Sequence, residues 1–410
     1  MAKYVWILVL VGAASLGLSA YIDLYYFPPT VVFGDELRFL RSASHLAETG
    51  EFSVAGARAW EMPGTAIFIA GFIRVFSDAQ AALLPVRLVQ AVLVVLQAVM
   101  VGLTAQRIFK LRSAGAAAFA MVALYPFFLF YQGLLLSETL FNTLLVAAFA
   151  SLYWWRERAF RIDGVFFLTC VLFGLATMVK PTLTIAPPVL IASLTLTARS
   201  LRLTIRALVL ASVTYAAVLA PWATRNYLVL HAFVPFTTSA SENLYLGNNE
   251  KNTTAGISWM EDVDEAVVAR LRSIPDEVER QRAFGALAIK YITDNPIVFL
   301  QRAGQKFVRF WNIVPNAPEY RGSLYRIVSA VSFGGVLTLS IISLLIWRRQ
   351  LADFVPLLLL VAYFSAIHMI TIASLRYRLP LEPFLILIAA GAVSAVLPRS
   401  GRVHHGFEKR

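Results

Sequence analysis

LPVRLVQAVLVVLQAVMVGLTAQ, residues 84–106, decides the fold class. As a helix it is about 34 Å long, enough to cross the roughly 30 Å hydrocarbon core of a bilayer. Comparable apolar runs recur at about 4–22, 114–131, 138–155, 164–179, 182–198, 207–222, 324–347, 353–372 and 380–397. The chain therefore reads as an all-α polytopic membrane protein with about ten transmembrane helices. Its composition agrees: of 410 residues, 59% are hydrophobic and 15% charged, with a mean hydropathy of +0.69. One soluble core of ordinary composition does not account for that balance. The first run follows Lys3 and ends near Ser19 and Ala20, the outline of a signal peptide; retention as a first span is the expectation.

The net charge of +12 does not indicate nucleic acid, because the cations sit in short loops and at helix ends. Arg107, Lys110 and Arg112, then Arg156, Arg158 and Arg161, then Arg199, Arg202 and Arg206, then Arg348 and Arg349 fall on one side of the predicted spans, as does the tail with Arg399, Arg402, Lys409 and Arg410. By the positive-inside bias that side is cytoplasmic. A multi-pass protein of the cell inner (plasma) membrane with both termini in the cytoplasm is expected. Cys170 is the only cysteine, which excludes an internal disulfide.

Three parts follow: an N-terminal transmembrane module, 1–222, containing a first outer loop at 23–83; an outer, helical or irregular region, 223–322; and C-terminal transmembrane helices with a tail, 323–410. In the first loop, Asp35 to Leu46 carries Phe39, Ala43 and Leu46 at helical spacing and stops at Thr49-Gly50, the pattern of an interfacial helix. Pro63 to Phe76 is short for a crossing and reads as re-entrant or surface-lying. In the second, about Glu265 to Tyr291 reads as helical, and Asn295-Pro296 as the cap and first residue of another helix. That next helix places Phe299, Ala303, Phe307 and Phe310 on one face and Arg302, Lys306 and Arg309 on the other, which suits the headgroup region.

The candidate chemistry lies on the outer side. Asp35 and Glu36 begin the interfacial helix, where they either favour its N-terminus or supply a carboxylate to a site; adjacent positions allow at most one of them to face it. A partly desolvated carboxylate there suits general-base work on a hydroxyl. Glu138 opens the fourth span, as a cap or as an acid with a task. Lys180 closes the fifth span and either snorkels or meets substrate. Arg225, Arg376 and Arg378 are outer guanidiniums against the positive-inside trend, suited to headgroup anchoring or to a bound phosphate. His45, His231, His368, His404 and His405 have no metal-ligand spacing, so no metal site is indicated. Asn252-Thr253-Thr254 has the form of a glycosylation acceptor.

Taken in order, these segments resemble the bacterial members of the protein O-mannosyltransferase superfamily, which includes the lipid A aminoarabinose transferases. The resemblance rests on Asp35-Glu36 with Phe39, Ala43, Leu46 and Gly50, on Glu61-Met62-Pro63-Gly64, Arg87, Leu124-Tyr125-Pro126 and Ser137-Glu138-Thr139, and on Pro221-Trp222 to Arg225-Asn226, Leu246-Gly247-Asn248 and Arg376-Tyr377-Arg378 through Pro380. Phe39 stands where the family usually has tyrosine, Met62 where a first proline often stands, and Glu138 where other members have aspartate. The resemblance implies a GT-C bundle with an outward-facing site, a polyprenyl-phosphate-linked sugar donor, and transfer to an acceptor hydroxyl by single displacement. It implies Asp35 as catalytic base and Glu138 as a second acid near the acceptor. Arg376, Arg378 and Arg225 are the candidates for the donor phosphate, and Glu36, Lys180 and Asn248 for further substrate contacts. The acceptor is lipid, glycan or protein; no cofactor is required, and a divalent metal, present in some relatives, is not indicated. An O-antigen ligase or polymerase shares the topology without a comparable first-loop acid, and a lipid-linked sugar flippase predicts charges deeper in the bundle.

Overall fold

The computed structural model describes residues 2–27, 30–31, 33–253, 255–256, 264–316 and 322–396. Thr254 of the acceptor pattern, His404, His405 and the tail cations Arg399, Arg402, Lys409 and Arg410 lie outside them. Helix α1 (Ala2–Tyr21) runs into a π-helical turn, Ile22–Tyr26. The first outer loop then forms α2 (Gly34–Thr49) and α3 (Gly64–Phe76). Gly50 ends α2 at φ 75°, a left-handed cap that glycine adopts without steric cost. The bundle continues with α4 (Ala79–Phe109), α5 (Arg112–Ala123), α6 (Pro126–Tyr131), α7 (Glu138–Glu157), α8 (Gly164–Val179), α9 (Ala186–Thr195) and α10 (Leu201–Leu230).

The region 223–322 holds α11 (Ser239–Gly247), α12 (Glu265–Arg272), α13 (Glu277–Asp294) and α14 (Pro296–Phe310). The chain returns through α15 (Ser323–Ser329), α16 (Gly335–Ile346), α17 (Leu351–Ile370), the single turn α18 (Leu375–Arg378) and α19 (Glu382–Val396). Among the described residues, seven helices are long and apolar enough to cross a membrane, α1, α4, α10, α17 and α19 within them. The expected span at 114–131 is broken: Leu124 and Tyr125 leave the helix and Pro126 starts α6. Helix α7 is mostly buried, and α19 sits in the main apolar core.

The stretch from Glu265 to Tyr291 is helical as expected, in two pieces, because Pro275 lacks the N–H a continuing helix needs and Asp276 caps a new one, accepting from Glu279 N at 2.6 Å. One expectation needs correcting. The cations of α14 turn inward and not to the headgroups: Arg302 donates to Asn249 O at 2.7 Å and Lys306 is fully buried, while Ile297, Leu300 and Val308 are exposed.

Arg156 pairs with Asp353 and Arg107 with Glu157, joining the ends of α4 and α7 to the start of α17. The loop 23–83 packs on the bundle through a close approach at Gly64, whose added Cβ would lie 2.6 Å from Met178 O. Gly64→Ala is therefore expected to cost about 1–3 kcal/mol by forcing α3 away from α8. A lower melting temperature in detergent is the outcome expected, and an unchanged one would contradict this packing.

Candidate active site

The site is built on the first turn of α2. Phe33 precedes it in extended conformation, and the Glu36 carboxylate accepts from Phe33 N at 3.0 Å, the reciprocal arm of a capping box. The other Glu36 oxygen accepts from Leu135 N at 2.9 Å, so this buried side chain fixes α2 against the segment that leads into α7. Asp35, one residue earlier, is left facing another way, with its side chain 37% exposed.

Asp35 lies in a row of alternating charge. Arg38, one turn along α2, donates to Asp35 Oδ1 at 2.6 Å and to Glu61 Oε1. Arg376, 341 residues away in sequence, donates from Nη1 to Asp35 Oδ2 at 2.5 Å. The same guanidinium holds Glu138 by two bonds, Nε to Oε1 at 2.5 Å and Nη2 to Oε2 at 3.3 Å. Lys180 Nζ completes the row on Glu138 Oε1 at 2.9 Å. Four of the expected residues, Asp35, Glu138, Lys180 and Arg376, are thus brought together from α2, α7, the end of α8 and α18.

Charge and burial set the two loop carboxyls apart. Burial pushes Asp35 up, but Arg376 and then Arg38 more than offset it, and the carboxyl is held below the usual aspartate range. For Glu61 burial outweighs the pull of Arg38, and its pKa is raised. Glu138 is closed, only 1% exposed, where an unpaired charge is costly; its two cations account for its survival there.

The remaining expected residues hold other partners. Arg225 donates to the carbonyls of Phe52 at 2.6 Å and Arg58, and stacks over Trp222 and Phe52, clamping the 51–58 loop to α10. Arg378 is fully buried, paired with Glu382 at 2.9 Å and donating to Asn312 O at 2.6 Å, with its guanidinium over the Phe333 ring. Asn248 accepts from Lys306 Nζ at 3.1 Å and donates to Ile370 O at 2.8 Å. Lys306 also reaches Ile370 O, the last residue of α17, and Asn248 ends α11, so two helix C-termini offset this buried cation. Burial, helped by Arg302, lowers Lys306 to about 8. Asn252 is buried too, donating to Leu246 O and Gly256 O, so it offers no amide for glycosylation.

Sequence reasoning missed Arg38 as a site residue, although its i,i+3 spacing from Asp35 is a recognisable ion-pair signal. It also missed the straps on the loop that carries Glu61. Glu277 accepts from Arg58 N at 2.6 Å, Ala59 N at 3.0 Å and Thr238 Oγ1 at 2.5 Å. Glu242 accepts from Trp60 Nε1 and pairs with Arg272. Such long-range contacts leave no local pattern. Among the described residues no three His, Cys, Asp or Glu side chains gather as a metal-binding group.

The opposite shifts of the two loop carboxyls predict opposite pH slopes. A lowered Asp35 adds stability above its ordinary pKa and loses it as the pH falls through the lowered one, so Asp35→Asn should lose ground to wild type as the pH rises from the acid side toward about 4. A raised Glu61 favours the fold at low pH and loses that advantage as the pH rises through the raised pKa, so Glu61→Gln should gain ground as the pH rises above the ordinary glutamate pKa of about 4.5. Thermal unfolding of both variants checks this, and parallel slopes would contradict the charge row.

Residues 61–224 match the family model described as dolichyl-phosphate-mannose-protein mannosyltransferase. No curated relative matches the sequence. Among solved structures, the chain is similar to the oligosaccharyltransferase of Archaeoglobus fulgidus tethered with an acceptor peptide, at 13% identity and a TM-score of 0.58 over 95% of this chain and 50% of that one. It is likewise similar to the same organism's oligosaccharyltransferase AglB in complex with an inhibitory peptide and a dolichol-phosphate, at 15% identity and a TM-score of 0.57, again over 95% and 50%. ArnT from Cupriavidus metallidurans aligns at 17% identity and a TM-score of 0.45 over 96% of this chain and 78% of that one. The chain spans about half the length of the oligosaccharyltransferases it matches. Residues 61–224 thus match that mannosyltransferase family model, and the chain shares the GT-C fold of the archaeal oligosaccharyltransferase, the fold that the sequence resemblance implied.

Proposed function

We propose that this protein transfers a sugar from a polyprenyl-phosphate-linked donor to an acceptor hydroxyl at the outer face of the inner (plasma) membrane, with both termini in the cytoplasm. The observation that carries the reading is Arg376 shared between Asp35 and Glu138, with Lys180 beside it, at the junction of the first outer loop and the bundle. The family model over 61–224 and the dolichol-phosphate bound by a protein of the same fold support it.

In this reading the acceptor oxygen attacks the anomeric carbon while the bond from that carbon to the phosphate oxygen breaks. The electron pair stays on the phosphate, which leaves with one further negative charge. Arg376 and Lys180 are the cations placed to stabilise that charge as it grows. Asp35, partly open where Glu138 is closed, takes the acceptor's proton. No nucleotide is needed, because the activated bond is already in the lipid. The first-loop segment before Glu61, strapped by Glu277, Glu242 and Arg225, supports Glu61 at its place in the row beside Arg38.

Purified protein in lipid, given labelled polyprenyl-phosphate sugars and candidate acceptors, is expected to form glycosylated product. Asp35→Asn should reduce transfer by about 100-fold or more, the range of a lost general base. Equal transfer by both proteins would overturn the assignment of the base.

A further inference from the structure

The cations offered to the donor phosphate are already taken. Arg38, Arg376 and Lys180 alternate with Glu61, Asp35 and Glu138, each joined to the next, so the row is formally neutral. Arg376 in particular faces two carboxylates with one charge, and a phosphate anion that approaches it meets their repulsion before it meets the guanidinium. One of the two carboxylates must give way, and the structure distinguishes them.

Glu138 is held by two hydrogen bonds from Arg376 and one from Lys180, and it is 1% exposed. Releasing it from the guanidinium would weaken the pairing of a buried carboxylate, the costly case. Asp35 takes a single hydrogen bond from Arg376, is 37% exposed, and keeps Arg38 at 2.6 Å when Arg376 leaves. Its release is the cheap case.

We infer that the donor binds by ion exchange: its phosphate takes Arg376 from Asp35, and this exchange frees the Asp35 carboxylate for the acceptor's proton. The inference rests on the transferase reading above. Asp35 Oδ2, occupied by Arg376 Nη1 in the free protein, becomes the acceptor atom only with donor in place. Base activation is thereby tied to donor binding, and an acceptor or a water molecule arriving first finds the carboxylate engaged. The charge balance closes. The donor enters with one negative charge on its phosphodiester; as the bond to the sugar breaks, the phosphate gains a second while Asp35 is neutralised by the proton. Arg376, standing between the two, follows the charge from one to the other. Through the whole cycle Glu138 and Lys180 hold the other side of the guanidinium and keep it from swinging away.

Exchange makes Asp35 a competitor of the donor, so removing its charge should tighten phosphate binding. The probe is a polyprenyl phosphate titrated into the purified protein in lipid, with a neutral polyprenol and inorganic phosphate as separate arms. Asp35→Asn is expected to bind polyprenyl phosphate on the order of tenfold more tightly than wild type. Its affinity for the neutral polyprenol should not change. Asp35→Ser, which removes the same charge with a different shape, should show the same gain should the amide variant fold poorly. Equal or weaker binding by both variants overturns the exchange and leaves the transferase reading standing. Absence of polyprenyl phosphate binding by the wild type overturns both, and a gain confined to inorganic phosphate shows that the row selects a free anion, against the exchange proposed for a lipid donor.

Discussion

One guanidinium joins the parts of the candidate site. Arg376 bonds Asp35 of the first outer loop and Glu138 of the bundle, positions separated from it by 341 and 238 residues. Partly buried charges of this kind are poor sources of stability, because desolvation consumes most of the Coulomb gain. Their clustering at one end of the bundle, beside a core rich in Phe, Leu and Ala, therefore points to use. Alternation is what makes the arrangement tolerable: no carboxylate in the row lacks a cation, and the most buried one has two.

Precision at Arg376 comes from what lies around a helix of four residues. Ser374 accepts from Arg376 N, Tyr377 stacks on His368 with ring centroids 4.9 Å apart, and Arg378 plugs into the bundle on Glu382 and the carbonyls of Phe310 and Asn312. Consecutive residues of this turn thus point to three environments, and only Arg376 meets the outer row. Glu36 does the same for Asp35 by fixing the start of α2 from both oxygens. Two residues expected to touch substrate, Arg378 and Glu36, instead hold the ones beside them.

Much of this was legible in the sequence, for reasons that differ by level. Length and hydropathy expose apolar spans directly, and Gly50 and Pro296 mark helix ends through backbone geometry alone. Glu138, Lys180 and Arg376 stood out because ionisable side chains at the ends of apolar runs are costly and so conspicuous, and Asp35 because it opens an amphipathic helix in the first loop and matches the family resemblance. Which neighbour faces the site was not legible: Arg376 and Arg378 differ only in direction, and direction is set by packing against His368, Phe333 and Glu382. The inward turn of Lys306 was hidden for the same reason, since its compensation comes from the ends of two helices, α11 and α17, far apart in the chain.

The most direct measurement is an experimental structure of the protein in lipid with a polyprenyl phosphate bound. The phosphate is expected within hydrogen-bonding distance of Arg376, with Glu138 and Lys180 still paired and Asp35 released toward water beside Arg38. A phosphate lodged elsewhere, with Arg376 still bridging Asp35 and Glu138, would contradict the exchange.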